Sequence, residues 1–113
     1  MEPCRRCCGS DAISGCTITY TVTMVNEAPI IAAGGGANNV SATSTSITVT
    51  ENGAAANNLW AANTNGLIAV PTMGGGCGSC TTSGIIGSTN FTVTIPSIPP
   101  QGTAIYSYAV VVK

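Results

Sequence analysis

Thr17-Ile18-Thr19-Tyr20-Thr21-Val22-Thr23-Met24-Val25 alternates without a break. Ile18, Tyr20, Val22 and Met24 fall on one face, and the threonines at 17, 19, 21 and 23 fall on the other. A period of two is that of a strand with one buried side. The same period returns at the other end of the chain. Thr103 to Lys113 places Ala104, Tyr106, Tyr108, Val110 and Val112 on one face. Asn90 to Ile95 alternates again, and so does Val40 to Thr50, where Ile47 and Val49 oppose Ser46, Thr48 and Thr50. No stretch carries a 3.6-residue period long enough for a helix of any length. Short strands separated by Gly, Pro and Asn predict an all-β fold, an antiparallel β-sandwich of Ig-like or jelly-roll type.

The segments between these runs read as connections. Asn26-Glu27-Ala28-Pro29 ends the first strand, and Gly34 to Asn39 is a loop. Asn52-Gly53 carries the signal of a type I′ turn. Leu59 to Ala62 and Leu67 to Val70 flank Asn63-Thr64-Asn65-Gly66 as the arms of a hairpin. Pro71 to Gly84 is the loosest region, and Pro96 to Gly102 is a turn-rich connector. Ile18, Tyr20, Val22, Ile47, Val49, Trp60, Phe91, Val93, Tyr106 and Tyr108 are expected inside, with Trp60 as a core plug rather than a ligand platform.

Residues 1–16 behave differently. They show no apolar period, yet hold Cys4, Cys7, Cys8 and Cys16, both arginines and two of the four acids. The stretch reads as a connector arm in front of a sandwich domain at 17–113. Extended, sixteen residues reach roughly 50 Å.

Composition narrows the function. The chain has 113 residues, so one domain is expected, and only 6% are charged against about 25% in ordinary proteins. Glu51 is the sole charge from Ala28 to Val112. A net charge of -1 offers nothing to nucleic acid or to an anionic membrane surface. No run approaches the roughly 20 apolar residues that span a bilayer. A surface of Thr, Ser, Asn, Gly and Ala is weakly protected against self-association. Six cysteines point to an oxidising destination outside the cell, whereas no apolar leader is visible at the start. Three readings reconcile the two. A leader was removed and Met1 added, or the thiols stay reduced or hold metal, or oxidation follows release from the cell.

Catalysis is not expected. Histidine, the commonest general base, is absent, and the acids Glu2, Asp11, Glu27 and Glu51 stand singly. No cofactor site is expected either. Cys4-x-x-Cys7 and Cys77-x-x-Cys80 have zinc-ligand spacing, but the pairs are far apart and leave Cys8 and Cys16 over. Disulfides within one chain are a second reading, and disulfides between subunits the favoured one. Adjacent Cys7 and Cys8 bond each other only with strain, so they take different partners. Cys77 and Cys80, on a flexible loop, are then the natural receptor for Cys4, Cys7 or Cys8 of another copy, and Cys16 stays local or anchors an incoming arm. Asn39-Val40-Ser41 and Asn90-Phe91-Thr92 match the N-glycosylation pattern, which is frequent by chance in such a composition.

Tyr20 to Asn26, Asn39-Val40-Ser41 leading into Ile47 to Thr50, and Ile98 to Val110 resemble the "conserved repeat" domain of bacterial and archaeal surface proteins. The resemblance implies an immunoglobulin-like sandwich without enzymatic activity. The arm, with vicinal Cys7-Cys8 and a further Cys16, is similar to disulfide-linked endospore appendage subunits. That likeness implies a filament subunit on the spore or cell surface that partners with itself. The alternative expectation is a monomeric secreted binding module braced by its own disulfides.

Overall fold

The computed structural model describes residues 13–29, 43–56 and 58–113. In chain order these form β1 (Thr17–Val25), β2 (Ser44–Asn52), one helical turn α1 (Trp60–Asn63), β3 (Thr64–Leu67), β4 (Thr72–Gly75), β5 (Thr81–Thr82), β6 (Asn90–Ile98) and β7 (Thr103–Val112). Every pairing is antiparallel. β7 is the hub of one sheet. β1 lies along one side of it, from Thr17 opposite Val111 to Val25 opposite Thr103. On its other side β3 meets the C-terminal part of β7 and β4 the N-terminal part. β6 is the hub of the second sheet, between β2 and the two-residue β5.

The alternation decides which faces meet. Ala104, Tyr106, Tyr108 and Val110 of β7 and Phe91, Val93 and Ile95 of β6 are buried and join one core with Trp60, Leu67, Cys77 and Ile98. The expected inward residues Ile18, Tyr20 and Val22 of β1 and Ile47 and Val49 of β2 pack against that core but stay half-buried. Among the described residues each of these strands borders a single neighbour, so its inner face lies at the rim of the core.

One paired kink interrupts the second sheet. Inward residues run Phe91, Val93, Ile95 and then Ile98 on β6, and Val49, Ile47 and then Ser44 on β2. Both strands change phase at the same level. Pro96 has no N–H to give, and Ser46, which faces it in the register, is in the left-handed region with φ 54°. The connector expected from Pro96 onward therefore begins only at Pro99. Gln101, at φ 59°, turns the chain there, and the Gly102 N–H donates to the Pro99 carbonyl.

Three expected connections differ. Asn52-Gly53 is not a hairpin turn, because β2 pairs with β6 and Gly53 has no positive φ. Gly53 is needed for space: a Cβ there would lie 2.6 Å from the Trp60 ring. The expected hairpin at Leu59 to Val70 is likewise absent. Trp60–Asn63 coils into a helical turn that carries the indole beneath Gly53, with the Ala61 N–H donating to the Gly53 carbonyl. Burying the largest side chain outweighs strand propensity here. The loose region from Pro71 to Gly84 holds β4 and β5.

Gly53→Ala is expected to destabilise the fold by about 1–3 kcal/mol through overpacking against Trp60. Gly74→Ala, where a Cβ meets nothing within 4 Å, serves as control. Denaturant midpoints check this, and equal midpoints for the two variants would refute the packing.

Candidate functional site

The β4–β5 connection carries the chain from one sheet to the other, so β4 and β5 border one flank and β1 and β2 the opposite flank. The first flank is closed by short strands and loops. The second is open. Two nine-residue edges, β1 and β2, run along it, and among the described residues no strand covers either. Free edges present rows of N–H and C=O groups, and proteins normally guard them with Lys, Pro or bulges. β1 has no charge and no proline. On β2 the only charge is Glu51, and it points inward.

Glu51 shares the parity of Ile47 and Val49 and so faces the core. Its two oxygens accept hydrogen bonds from the hydroxyls of Tyr106 and Tyr108, the latter at 3.1 Å. A carboxylate inside a fold is tolerable only when so satisfied. The bonds tie β2 of one sheet to β7 of the other. Tyr108 is also the centre of an aromatic cluster. Tyr20 stacks on it at 5.0 Å, Phe91 meets it edge-on at 5.1 Å, and Trp60 and Tyr106 lie at 5.9 and 6.4 Å. These are all five aromatic residues of the chain. Burial first, and then the Glu51 hydrogen bond and charge, hold the Tyr106 hydroxyl far above its ordinary value. Burial, and then the Glu51 charge and hydrogen bond, do the same for Tyr108. The Trp60 Nε1 finds no partner at hydrogen-bonding geometry among the described residues; its nearness to Tyr108 works weakly against that rise. The arrangement suits bracing. The carboxylate is occupied by two donors, which leaves it poorly placed to act as a base.

The signal for this bridge was present in the sequence. A lone charge at an inward position of an alternating strand needs donors, and tyrosines at inward positions of another strand can supply them.

The cysteines divide into three groups. Cys4, Cys7 and Cys8 lie outside the described residues. Cys16 is buried at the foot of β1, where its carbonyl accepts from the Val112 N–H and the Gly15 N–H donates to the Val112 carbonyl. Residues 15 and 16, expected in the arm, thus belong to the fold. Cys77 and Cys80 are bonded to each other across three residues, with Cα atoms 5.1 Å apart. Within one chain the expected receptor cysteines thus satisfy each other. The turn that lets the Cys80 N–H donate to the Cys77 carbonyl brings the sulfurs together, and Cys77 is buried in the core. Burial of the Cys77 half shields that sulfur from exchange, and the bonded pair offers no thiolate for zinc.

The first sheet shows an apolar feature that pattern reading passed over. Ile68 and Val70 overhang a shallow groove of about 140 Å³ on its outer face, with Thr19 of β1, Ser107 of β7 and Thr72 of β4. Gly84 packs close to Pro71, and beside it Ile85 and Ile86 are 65% and 72% exposed. Asn90, of the second glycosylation motif, is exposed at the start of β6.

No protein-family model matches this chain, and neither a curated protein nor a solved structure shows significant similarity to it.

Replacing Cys77 and Cys80 together by serine is expected to cost about 2 kcal/mol, the loop-closure value for so short a ring, read as a lower midpoint in denaturant. An unchanged midpoint would show that the clamp contributes nothing. Alkaline pH tests the tyrosine bridge. Tyr106 and Tyr108 have raised values in the fold, so above about pH 10 the unfolded chain loses protons that the folded chain keeps. Stability is complete below that pH and falls above it, by up to roughly 1.4 kcal/mol per pH unit for each tyrosine. Thermal melts between pH 8 and 12 measure this, and a flat profile contradicts the bridge.

Proposed function

We propose that this chain is the structural subunit of a self-assembling extracellular filament, pilus-like or a spore appendage, in which the two sheets form a sandwich of Ig-like or jelly-roll type. The open flank carries the reading. Two long edges without gatekeeping charge, set beside half-buried Ile18, Tyr20, Val22, Ile47 and Val49, invite strand pairing with a neighbouring copy. A surface nearly without charge does not oppose such association. The arm ahead of Gly15 adds covalent locks. With Cys77 and Cys80 occupied by each other, Cys4, Cys7 and Cys8 bond other cysteines of neighbouring copies. No enzymatic step enters this reading, and Glu51, the interior acid among the described residues, serves as a brace.

The Cys77–Cys80 bond also favours a second reading, a monomeric secreted surface module braced by its own disulfides. Electrophoresis with and without reductant separates the two. The filament reading expects retained material or a ladder that collapses on reduction, with fibres in negative stain, and deletion of residues 1–12 should leave folded subunits whose fibres break easily. A single monomer band without reductant, together with an absence of fibres, sinks it in favour of the module.

A further inference from the structure

Three exposed apolar side chains and two exposed charges sit at the ends of the fold. At one end the Gly15 N–H donates to the Val112 carbonyl, and the Lys113 N–H donates to the Asn63 carbonyl. The Asn63 side chain donates in turn to the Leu59 carbonyl. These bonds bring Ile13, Leu59 and Lys113 to the same end. Leu59 is 53% exposed although its backbone is held in the left-handed region at φ 50°, a costly state for a residue of this kind. The Lys113 ammonium leans on the Ala62 carbonyl at 3.4 Å. At the other end Val25 stands opposite Thr103 and is 52% exposed. The Gln101 side chain donates there to the carbonyl of Glu27, whose own side chain faces solvent.

Among the described residues the charges are Glu27, Glu51 and Lys113. With Glu51 turned inward, the described residues keep one exposed negative charge at one end and one exposed positive charge at the other, each beside exposed aliphatic groups. We propose that these ends are complementary faces, and that each docks the opposite end of a second copy of this chain. The inference rests on the filament reading and names its axial contact. A contact between like ends would oppose Lys113 to Lys113 or Glu27 to Glu27 and would close at two copies. Joining unlike ends pairs Glu27 with Lys113 and leaves a fresh face for the next copy.

The test is the critical concentration for polymerisation of the full chain at low salt. It is measured for the parent, for Glu27→Lys, for Lys113→Glu and for the double reversal, with dichroism confirming the fold of each. Each single reversal is expected to raise the critical concentration roughly two- to fivefold, and the double reversal to restore it. The difference shrinks as salt is added. Single reversals that match the parent, or a double reversal that stays with the singles, overturn the end-to-end contact while fibres of the parent keep the filament reading standing. A parent that forms no polymer at any concentration overturns both.

Discussion

The pairing of β1 with β7 is the constraint on which the rest of the structure depends. These strands come from opposite ends of the described chain, and their ladder runs unbroken over the length of β1. β7 then organises everything beside it. Its inward residues supply four members of the core, and its second edge is covered by β3 and β4 in turn. Closing so distant a pair is entropically expensive and is rewarded only once the long-range ladder forms. Without the last strand the chain from Ser44 to Ile98 lacks four members of the core.

Across the core, the Glu51 bridge adds direction to what hydrophobic contact leaves loose. Apolar packing tolerates small slides of one sheet over the other, whereas two hydroxyls on one carboxylate accept few geometries. Such a bridge favours a single alignment of β2 against β7 more than it favours stability in itself. Among the described residues Glu51 is the single interior carboxylate, and it is spent on alignment.

Most of the fold was legible because its strands alternate. Thr17 to Val25, Asn90 to Ile95 and Thr103 to Val112 were readable from period alone, as was the inward face of each. What could not be read was pairing and coiling. Nothing local to Leu59-Trp60-Ala61-Ala62 announces a helical turn; it follows from where the indole must go, which depends on Gly53 and Tyr108. Asn52-Gly53 looked like a turn because glycine commonly supplies positive φ, while here it supplies an absence of side chain. Pro96 looked like a strand end, yet a kink shared with Ser46 lets both strands continue. Among the candidate site residues, the Cys77–Cys80 spacing was legible, but its partner choice depended on a tight turn in a crossover that composition presented as loose.

The antiparallel layout of β1 and β7 also sets how the fold carries tension. A pull entering at Ile13 and leaving at Lys113 would act on neighbouring strand ends and open the ladder one rung at a time, as a zipper opens. A pull entering at Ile13 and leaving at Thr103, the start of β7 beside Val25, draws the two strands past each other along their length. The hydrogen bonds lie across that direction, so they resist sliding together, and rupture requires many to fail at once. Load entering through β1 and leaving through the start of β7 would thus work the fold in shear, its mechanically hard axis, while sideways peeling would find the soft one.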